Sequence, residues 1–250
     1  MQTPVIPGVS PIAQEIFNMI HQFIFACPKP GMSEEEFQNY WVNFHAVHYA
    51  SRIPQIVRYL IDTRIPFGVE PNDPLFSGVA EIWLRNEEEQ LASLQSKEFL
   101  EGARRDEPNW AAFWRTVGLD TETNILLEGP PLEKESKLVK LFILTKRKAG
   151  LPLDKFRQKM LTSHAEKVMT LPGLRRYYQC HVRDSFYTIG EALLDCVSLL
   201  WFDSIEALEN ALNSPEYEKV ELDFSNVFES KYIHKLVTKE NWIIGPDCRS

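Results

Sequence analysis

An internal duplication constrains this sequence more than any other feature, because the second half repeats the order of the first about 119 residues later. His45 and His164 each follow a phenylalanine by eight residues, and a similar apolar segment precedes each of the two helices. The other matching anchors, in chain order, are Pro54 with Arg58 and Tyr59, Pro172 with Arg176 and Tyr177, and the tryptophans Trp83 and Trp201. Ordered anchors in one register are typical of a tandem repeat, so we expect two similar structural units in one chain.

The segment that contains the first histidine has a strong signal for the start of a helix. Ser33 precedes Glu36 by three residues, the pattern of a capping box, and three consecutive glutamates suit the positive end of the helix dipole. At about 100° per residue, aromatic residues and two histidines fall on one broad face. This face comprises Phe37, Tyr40, Trp41, Phe44 and His48, with His45 on its shoulder. The spacing therefore predicts that His48 lies nearer the middle of the buried face than His45.

Each half of the chain also shows the same succession of elements. Apolar and amphipathic segments separated by loops predict strand, helix, two strands, helix and strand, the βαββαβ order of a ferredoxin-like unit. The pattern places the last strand of the first repeat at 124–127 and the last strand of the second at 234–244. Helices cover one sheet face in such a unit, so the other face needs a partner, which the tandem copy supplies.

The motifs around His45 resemble those of the EthD family, which belongs to the dimeric α+β barrel group. The matching features are the Ser-Glu-Glu-Glu-Phe helix start, the aromatic pair Tyr40 and Trp41, His45 itself, and Arg58 with Tyr59 after a proline. The second repeat keeps His164 and the later arginine–tyrosine pair, but Lys159 and Met160 replace the aromatic pair. The resemblance covers nearly all of residues 20–245.

This resemblance implies that the two repeats close one barrel of the dimeric α+β type within a single chain. We therefore predict an α+β fold of two tandem ferredoxin-like repeats that form an intramolecular pseudo-dimer, with further association of whole chains left open. The predicted parts are an N-terminal arm at 1–19, a first repeat at 20–128, a linker at 129–137 and a second repeat at 138–250.

The resemblance also implies a type of activity. EthD-like proteins and neighbouring barrel proteins include cofactor-free enzymes that dehydrate, decarboxylate, isomerise or cyclise small aromatic or polyketide-derived molecules. In many of them a histidine and a tyrosine serve as acid and base in a pocket between the sheet and the helices. We therefore expect a small-molecule substrate as the partner and no cofactor.

The residue types of the first repeat suit acid–base chemistry. Histidine titrates near neutral pH, so it can remove a proton beside a carbonyl group or return one to a leaving hydroxyl. Tyrosine hydroxyls can donate to an enolate oxygen on which negative charge develops. The catalytic candidates are His45, His48, Tyr40 and Tyr59. The candidate substrate-binding residues are Trp41, Phe44 and Trp83, and the second-repeat candidates are His164 and Tyr177.

Other interpretations of these residues stay open at this point. His45 and His164 can recur because each ties its helix to the sheet by hydrogen bonding, and the aromatic residues can be ordinary core. A metal site is not expected, because no third ligand accompanies His45 and His48 and no HExxH pattern occurs.

Composition excludes several classes of partner. A net charge of −8 and a pI near 5.4, without a basic stripe, argue against nucleic acid. The first twenty residues lack the basic start and apolar run of a signal peptide, and no segment is apolar enough to span a bilayer. The four cysteines form no CxxC pair, which favours reduced thiols. We therefore expect a cytoplasmic protein without nucleic-acid or membrane partners.

The predicted function is a cofactor-independent enzyme that acts by histidine and tyrosine acid–base chemistry on a hydrophobic, carbonyl-bearing, polyketide-like or aromatic substrate. Dehydration, cyclisation or a related lyase step is the expected reaction. The alternatives are a pericyclase, whose shaped pocket orients a reactive polyene, and a non-catalytic protein that binds an apolar metabolite. The first repeat is expected to hold the working pocket, because the second has lost three aromatic groups and one histidine. The corresponding pairs are Tyr40 and Lys159, Trp41 and Met160, Phe44 and Ser163, and His48 and Lys167.

Overall fold

Eight antiparallel strands form a closed barrel in the computed structural model, which describes residues 19–71 and 73–249. The strands are β1 (Ile20–Ala26), β2 (Arg58–Arg64), β3 (Gly78–Leu84), β4 (Val117–Leu127), β5 (Val139–Arg147), β6 (Arg176–Val182), β7 (Cys196–Phe202) and β8 (Phe228–Ile244). Their order around the barrel is β1-β3-β2-β8-β5-β7-β6-β4. The predicted N-terminal arm, residues 1–19, lies outside the described residues except for Met19.

Helices cover the outer surface of each half of the barrel. Three of them contain a π-helical turn, at Trp41–His45, Glu98–Ala103 and Met160–His164, and the first and last of these turns occupy equivalent places in the two repeats. The first repeat has α1 (Glu34–Tyr40, Trp41–His45 as the π turn, Ala46–His48), α2 (Glu87–Gln95) and α3 (Glu98–Ala103, Arg104–Asp106). The second repeat has α4 (Leu153–Lys159, Met160–His164 as the π turn, Ala165–Val168), α5 (Ile205–Leu212) and α6 (Pro215–Val227). Short 3-10 turns occur at Ala50–Arg52, Glu107–Asn109, Phe113–Arg115 and Asp184–Tyr187.

The two repeats close the barrel through two seams of backbone hydrogen bonds. Strand β2 of the first repeat pairs with β8 of the second, where Asp62 lies opposite Glu240. Strand β4 pairs with β6, where Thr121 lies opposite Val182. Each repeat therefore supplies the partner that the open sheet of the other needs, and the predicted fold of two tandem ferredoxin-like repeats in one intramolecular barrel is confirmed. Residues 128–138 connect β4 to β5.

Alternation along the strands divides the buried residues between the barrel interior and the layers beneath the helices. On β1, His21, Phe23 and Phe25 belong to the interior, whereas Ile24 and Ala26 face the helices of the first repeat. The same alternation in the second repeat leaves a separate core between its helices and its strands. The sheet therefore separates side chains in the barrel interior from those beneath the helices.

A cluster of charged side chains lies inside the barrel and joins the two repeats. The Lys140 Nζ atom lies 3.0 Å from Asp62 Oδ1, 2.5 Å from Glu81 Oε1 and 2.7 Å from Glu240 Oε1. The second carboxylate oxygen of Glu81 lies 2.7 Å from His21 Nε2. All five side chains are buried, and a lysine of the second repeat thereby neutralises carboxylates of the first. Sequence analysis did not identify this cluster.

The capping box predicted at the start of α1 is present. The Glu36 N–H donates to Ser33 Oγ at 3.2 Å, and the Ser33 N–H donates to Glu36 Oε2 at 2.8 Å. Both bonds satisfy backbone donors that the first helical turn leaves without an intrahelical partner.

Replacing Ser33 by alanine is expected to lower the melting temperature by roughly 2–4 °C, because the helix loses an ordinary N-cap. The matched control is Ser163→Ala, since Ser163 is exposed on α4 and its side chain has no hydrogen bond among the described residues. Thermal unfolding followed by circular dichroism compares the two variants. Equal shifts in both variants would contradict a specific contribution of the cap.

Two strands begin earlier in the chain than the sequence pattern predicts. Strand β4 starts at Val117 rather than at 124, although Gly118 and alternating polar residues give this stretch the look of a loop. It is a strand because β1 pairs along one edge and β6 along the other. Strand β8 starts at Phe228 rather than at 234, and its charged, half-exposed start is held by pairing with Arg147.

Candidate functional site

The π-helical turn in α1 decides which of its residues are buried. The Ala46 N–H donates to the Trp41 carbonyl, five residues back, so this turn contains one more residue than an α-helical turn. The buried face therefore moves by one position, from Phe44 and His48 to His45 and Ala46. His45 is 6% exposed, whereas Phe44 is 39% exposed. The prediction that His48 is nearer the middle of the buried face is wrong, because ideal α-helical spacing does not hold here.

His45 forms a hydrogen-bonded pair with Asp106, at the end of α3. The His45 Nδ1 atom lies 2.9 Å from Asp106 Oδ2, and both side chains are buried. The other carboxylate oxygen, Oδ1, accepts from the Tyr40 hydroxyl at 2.8 Å and from the Asn109 side chain at 2.9 Å. These contacts hold the imidazole in one orientation and connect α1 to α3.

The surroundings of Asp106 determine the protonation state of the pair. Burial alone would raise the pKa of Asp106, but hydrogen bonds from Asn109, His45 and Tyr40 outweigh it and hold the pKa below its usual value. An ionised carboxylate only accepts, so we assign the proton of neutral His45 to Nδ1, although the Trp110 indole N–H also approaches that atom at 3.1 Å. The lone pair of His45 is then on Nε2.

His45 itself is neutral at neutral pH. Its pKa is lowered from the ordinary histidine value, mainly because burial disfavours the imidazolium, while the nearby Asp106 carboxylate opposes this effect. The Nε2 atom makes no hydrogen bond with any described residue. A neutral imidazole with a free Nε2 and a carboxylate behind Nδ1 has the arrangement of a general base.

A cavity between α1, α3 and the outer face of the sheet contains His45. The volume available to the centre of a water molecule is about 80 Å³, room for several waters or for one ring of an organic molecule. Its walls are largely apolar, and four of its side chains are polar: His45, Tyr59, Glu107 and Thr116. The apolar walls include Trp41, Ile53, Ile82, Phe99, Trp110 and Phe113. This composition is typical of a site for an apolar molecule with a few polar groups.

Three of the residues proposed from the sequence meet in this cavity: His45, Trp41 and Tyr59. Trp41 and Tyr59 are almost fully buried. Burial raises the pKa of Tyr59, so its hydroxyl keeps its proton and can act as a donor.

The structure places four other candidates of the first repeat elsewhere. Tyr40 lies behind Asp106, to which its hydroxyl donates. Phe44 and His48 contact each other outside the cavity, with their rings tilted and the ring centroids 4.6 Å apart. Trp83 lies inside the barrel, where it stacks on His21 at a centroid distance of 4.2 Å.

Sequence analysis did not identify three polar residues of this region: Asp106, Glu107 and Thr116. A signal for the first was present, because Asp106 and Asp223 each precede an asparagine by three residues at nearly the repeat spacing. Glu107 is half-buried, and burial raises its pKa to about 7 against the opposing charge of Arg104. The Thr116 Oγ1 atom is buried without a hydrogen-bond partner among the described residues.

The second repeat retains the histidine–aspartate pair but almost no cavity. His164 Nδ1 lies 3.1 Å from Asp223 Oδ2, and the Lys167 ammonium lies 2.8 Å from the other oxygen. The corresponding volume is about 10 Å³, and Phe224 and Phe228 line it. The pair connects two helices, α4 and α6. The structural interpretation in which each histidine ties its helix to the sheet is therefore wrong.

The other candidate of the second repeat, Tyr177, lies in the same core. It is fully buried on β6, and its hydroxyl accepts from the Gln179 side chain at 2.5 Å. Burial raises the pKa of Tyr177, as it does for Tyr59 at the equivalent position.

The closed barrel and the cavity beneath the helices define this chain as a tandem protein of the dimeric α+β barrel class. The EthD domain model matches residues 29–113 and 148–231, more than half of the chain. The chain therefore belongs to the EthD family, and the match falls once in each repeat. A comparison with curated proteins found no significant match.

Solved structures share the fold at low sequence identity. An anthrone oxidase-like protein superposes with a TM-score of 0.65 and 11% identity, covering 90% of this chain and 93% of its own. A proposed monooxygenase from Fusobacterium nucleatum gives a TM-score of 0.59 and 9% identity over 93% of this chain and 97% of its own. A proposed monooxygenase from Lactobacillus acidophilus gives a TM-score of 0.50 and 13% identity over 91% of this chain and 99% of its own. At these identities the likeness establishes the fold alone.

The described residues lack the features of two other kinds of site. No helix among them is long and apolar enough to cross a membrane. Within the same residues, no group of three or more histidine, cysteine, aspartate or glutamate side chains is arranged to hold a metal ion.

Proposed function

We propose that this protein is a cofactor-independent enzyme that uses His45 as a general base on a hydrophobic, carbonyl-bearing substrate. The observation that carries the proposal is that His45 lines an apolar cavity, while its Nδ1 is held by Asp106 and its Nε2 makes no hydrogen bond with any described residue. Asp106 is the positioning residue, because it fixes the tautomer and orientation of the imidazole and stabilises the imidazolium that forms.

The proposed step is removal of a proton from the carbon beside the substrate carbonyl. The electron pair moves towards the carbonyl oxygen. Tyr59 lines the same cavity, and in this proposal its hydroxyl donates a hydrogen bond to the developing enolate. The enolate then expels a leaving group or closes a ring, which gives dehydration or cyclisation. The volume of the cavity suits one aromatic or alicyclic ring. Phe113 lines the cavity and is 45% exposed, so we propose that a larger substrate extends past this side chain towards solvent.

The difference between the two repeats supports a site in the first one. Both repeats contain a histidine–aspartate pair, but only about 10 Å³ is open to water beside His164, compared with about 80 Å³ beside His45. Phe224 fills the position that corresponds to Glu107. We therefore propose that the second repeat chiefly completes the barrel.

A binding protein for an apolar metabolite is the second candidate. The recurrence of the pair in a repeat with almost no cavity favours it, because this shows that the pair also has a structural role. A pericyclase is the third, since the largely apolar walls could orient a reactive polyene without proton transfer.

The test uses 5-nitrobenzisoxazole, a ring-sized compound that opens to a phenolate when a base removes its carbon-bound proton. The wild-type protein is expected to accelerate this opening over buffer, and His45→Asn to reduce the acceleration about 100-fold or more. Asparagine keeps a donor for Asp106 but lacks Nε2. The rate should rise with pH through the pKa of His45, which lies below the ordinary histidine value, because the base works when deprotonated.

His164→Asn is the matched control, because it alters the equivalent pair in the repeat without the cavity. It is expected to leave the rate within about twofold, with folding checked by thermal melting. Binding of the probe without acceleration by the wild type would favour the binding protein. Acceleration that does not depend on pH or on His45 would favour a pocket that acts by shape alone.

A further inference from the structure

We propose that Glu107 is a second acid–base group of this cavity and delivers a proton to an oxygen that leaves the substrate. The inference rests on the proposed function, because it assumes that His45 acts on a substrate bound in the same place. It narrows the substrate to a β-hydroxy carbonyl compound that has an apolar ring.

The position of Glu107 supports this role. It follows Asp106 directly and begins the 3-10 turn Glu107–Asn109, so the carboxyl groups of two adjacent residues come to one end of α3. The Glu107 carbonyl accepts from the N–H groups of Trp110 and Ala111, which fixes the backbone of this turn. Its side chain lines the cavity that contains His45.

Glu107 differs from Asp106 in its partners. Asp106 takes part in three side-chain hydrogen bonds, whereas the Glu107 carboxyl group makes no hydrogen bond and no close ion pair with any described residue. It is the one carboxyl group among the described residues that line this cavity. A half-buried carboxyl group that the protein leaves without a partner is available to a ligand.

Glu107 and Asp106 also differ in their protonation state. Burial raises the pKa of Glu107 to about 7, so a large fraction of molecules hold the proton there at neutral pH, while the pKa of Asp106 lies below its usual value. When the surroundings of two neighbouring carboxyl groups give them very different pKa values, one group can act as an acid while the other stays ionised. Asp106 stabilises a positive imidazole, and Glu107 is the group that can give a proton away.

The second repeat shows what the position looks like without this task. The residue that corresponds to Glu107 is Phe224, which packs beside His164 with ring centroids 6.1 Å apart. The carboxyl group is thus present where there is a cavity and absent where the equivalent space is filled.

The step balances without any further reactant. His45 Nε2 takes the proton from the carbon beside the carbonyl, and the electron pair of that C–H bond forms the new C=C bond. The C–O bond to the β-hydroxyl breaks, and the hydroxyl leaves as water with the proton of Glu107. His45 is left protonated and Glu107 ionised, and exchange of one proton with solvent at each group restores both.

The experiment compares two probes that differ in their need for an acid. Dehydration of 4-hydroxy-4-phenylbutan-2-one needs a proton on the leaving hydroxyl, whereas opening of 5-nitrobenzisoxazole releases a stable phenolate and needs the base alone. Glu107→Gln is expected to lower kcat for the dehydration about 100-fold with KM within about twofold. The same variant should open 5-nitrobenzisoxazole within about twofold of the wild-type rate.

The pH profile gives an independent reading. An acid works when protonated, so dehydration by the wild type should decline as the pH rises through about 7, the pKa of Glu107. Glu107→Gln should lose this declining limb and keep the rise that belongs to His45. Glu107→Asp, which retains a carboxyl group, should retain the declining limb at a reduced rate.

Glu101→Gln is the matched control, since Glu101 is exposed on α3, and it should leave both reactions unchanged. Unchanged dehydration in Glu107→Gln, with ring opening retained, would overturn the role of Glu107 and leave the role of His45 standing. Equal loss of both reactions would overturn it too, because it would show a structural effect. If the wild type opens 5-nitrobenzisoxazole no faster than buffer, the proposed function fails and this inference fails with it.

Discussion

Cutting the chain between Gly129 and Pro130 is expected to leave neither half as a stable, soluble monomer. The cut falls in the connection between β4 and β5, outside both strands, so the covalent structure of each repeat stays intact. Each half therefore loses the stabilisation that its partner sheet provides, but it keeps all of its own strands and helices.

Two physical effects make this loss large. The separated first repeat exposes the free edges of β2 and β4, whose backbone groups pair with β8 and β6 in the intact chain. It also exposes the large apolar side chains of the barrel interior, among them Phe23, Phe25 and Leu119. Unpaired strand edges beside apolar surface are templates for association.

Analytical ultracentrifugation of residues 20–128 made alone provides the measurement. We expect aggregates, or a homodimer that rebuilds the barrel from two copies. The control is coexpression of the two halves, which should recover a complex with the mass of one intact chain. A soluble, cooperatively folding monomer of 20–128 would contradict the view that each repeat completes the other.

Replacing Lys140 by methionine is expected to lower the free energy of unfolding by about 3–5 kcal/mol, the cost of breaking a buried charge cluster by removing one partner. The Lys140 ammonium lies within 3.0 Å of oxygens from Asp62, Glu81 and Glu240, and it is fully buried. Methionine fills similar space but leaves three acidic groups without their cation. Because two of these groups are in the first repeat, the loss weakens the seam between the repeats.

The pH dependence of this effect follows from the direction of the shifts. Burial alone would raise the pKa of Glu81, but Lys140 and His21 outweigh it and hold the pKa well below its usual value. Glu81 therefore contributes stability above its ordinary pKa, near 4.5, and this contribution is lost as the pH falls below it. Ionisation of Asp62 has the opposite effect on stability, because burial raises the pKa of Asp62 and favours its protonated form.

Urea unfolding at several pH values tests both statements. The penalty of Lys140→Met should grow as the pH rises from about 5 to 8, because without the lysine burial favours the protonated carboxyl groups and their ionisation in the folded state costs more free energy. Lys97→Met is the control, because Lys97 is exposed and its removal should cost less than about 0.5 kcal/mol. A loss below about 1 kcal/mol for Lys140→Met would contradict the cluster's contribution to holding the barrel together.

Much of the fold could be predicted because repetition is visible in one dimension. The spacing of His45 and His164, with the later prolines and tryptophans, identifies two copies of one βαββαβ unit, and a unit with one uncovered sheet face requires a partner. The capping box at Ser33 is equally local, since all of its donors and acceptors lie within four residues. Strands β4 and β8 were the exceptions, because their polar starts are held by neighbours distant in sequence.

The candidate site was predicted in part, and the errors at Phe44 and His48 have one cause. His45, Trp41 and Tyr59 meet in the cavity, but ideal helical spacing placed His48 beside them. The π turn moves the buried face by one residue, and packing against the sheet and α3, rather than the spacing of apolar residues, selects between the two arrangements. A helical wheel cannot show such a turn.

By itself, the sequence determined the tandem architecture, the start of α1 and the histidine on which the proposed chemistry depends. The tertiary structure alone brought Asp106 to that histidine, 61 residues away along the chain, put Glu107 in the same cavity, and placed Lys140 beside two carboxylates of the other repeat. The physical reason is that hydrogen bonds, desolvation and charge pairing act over a few ångströms in space. Which distant side chains come that close depends on strand register and helix packing, and a single sequence does not display either.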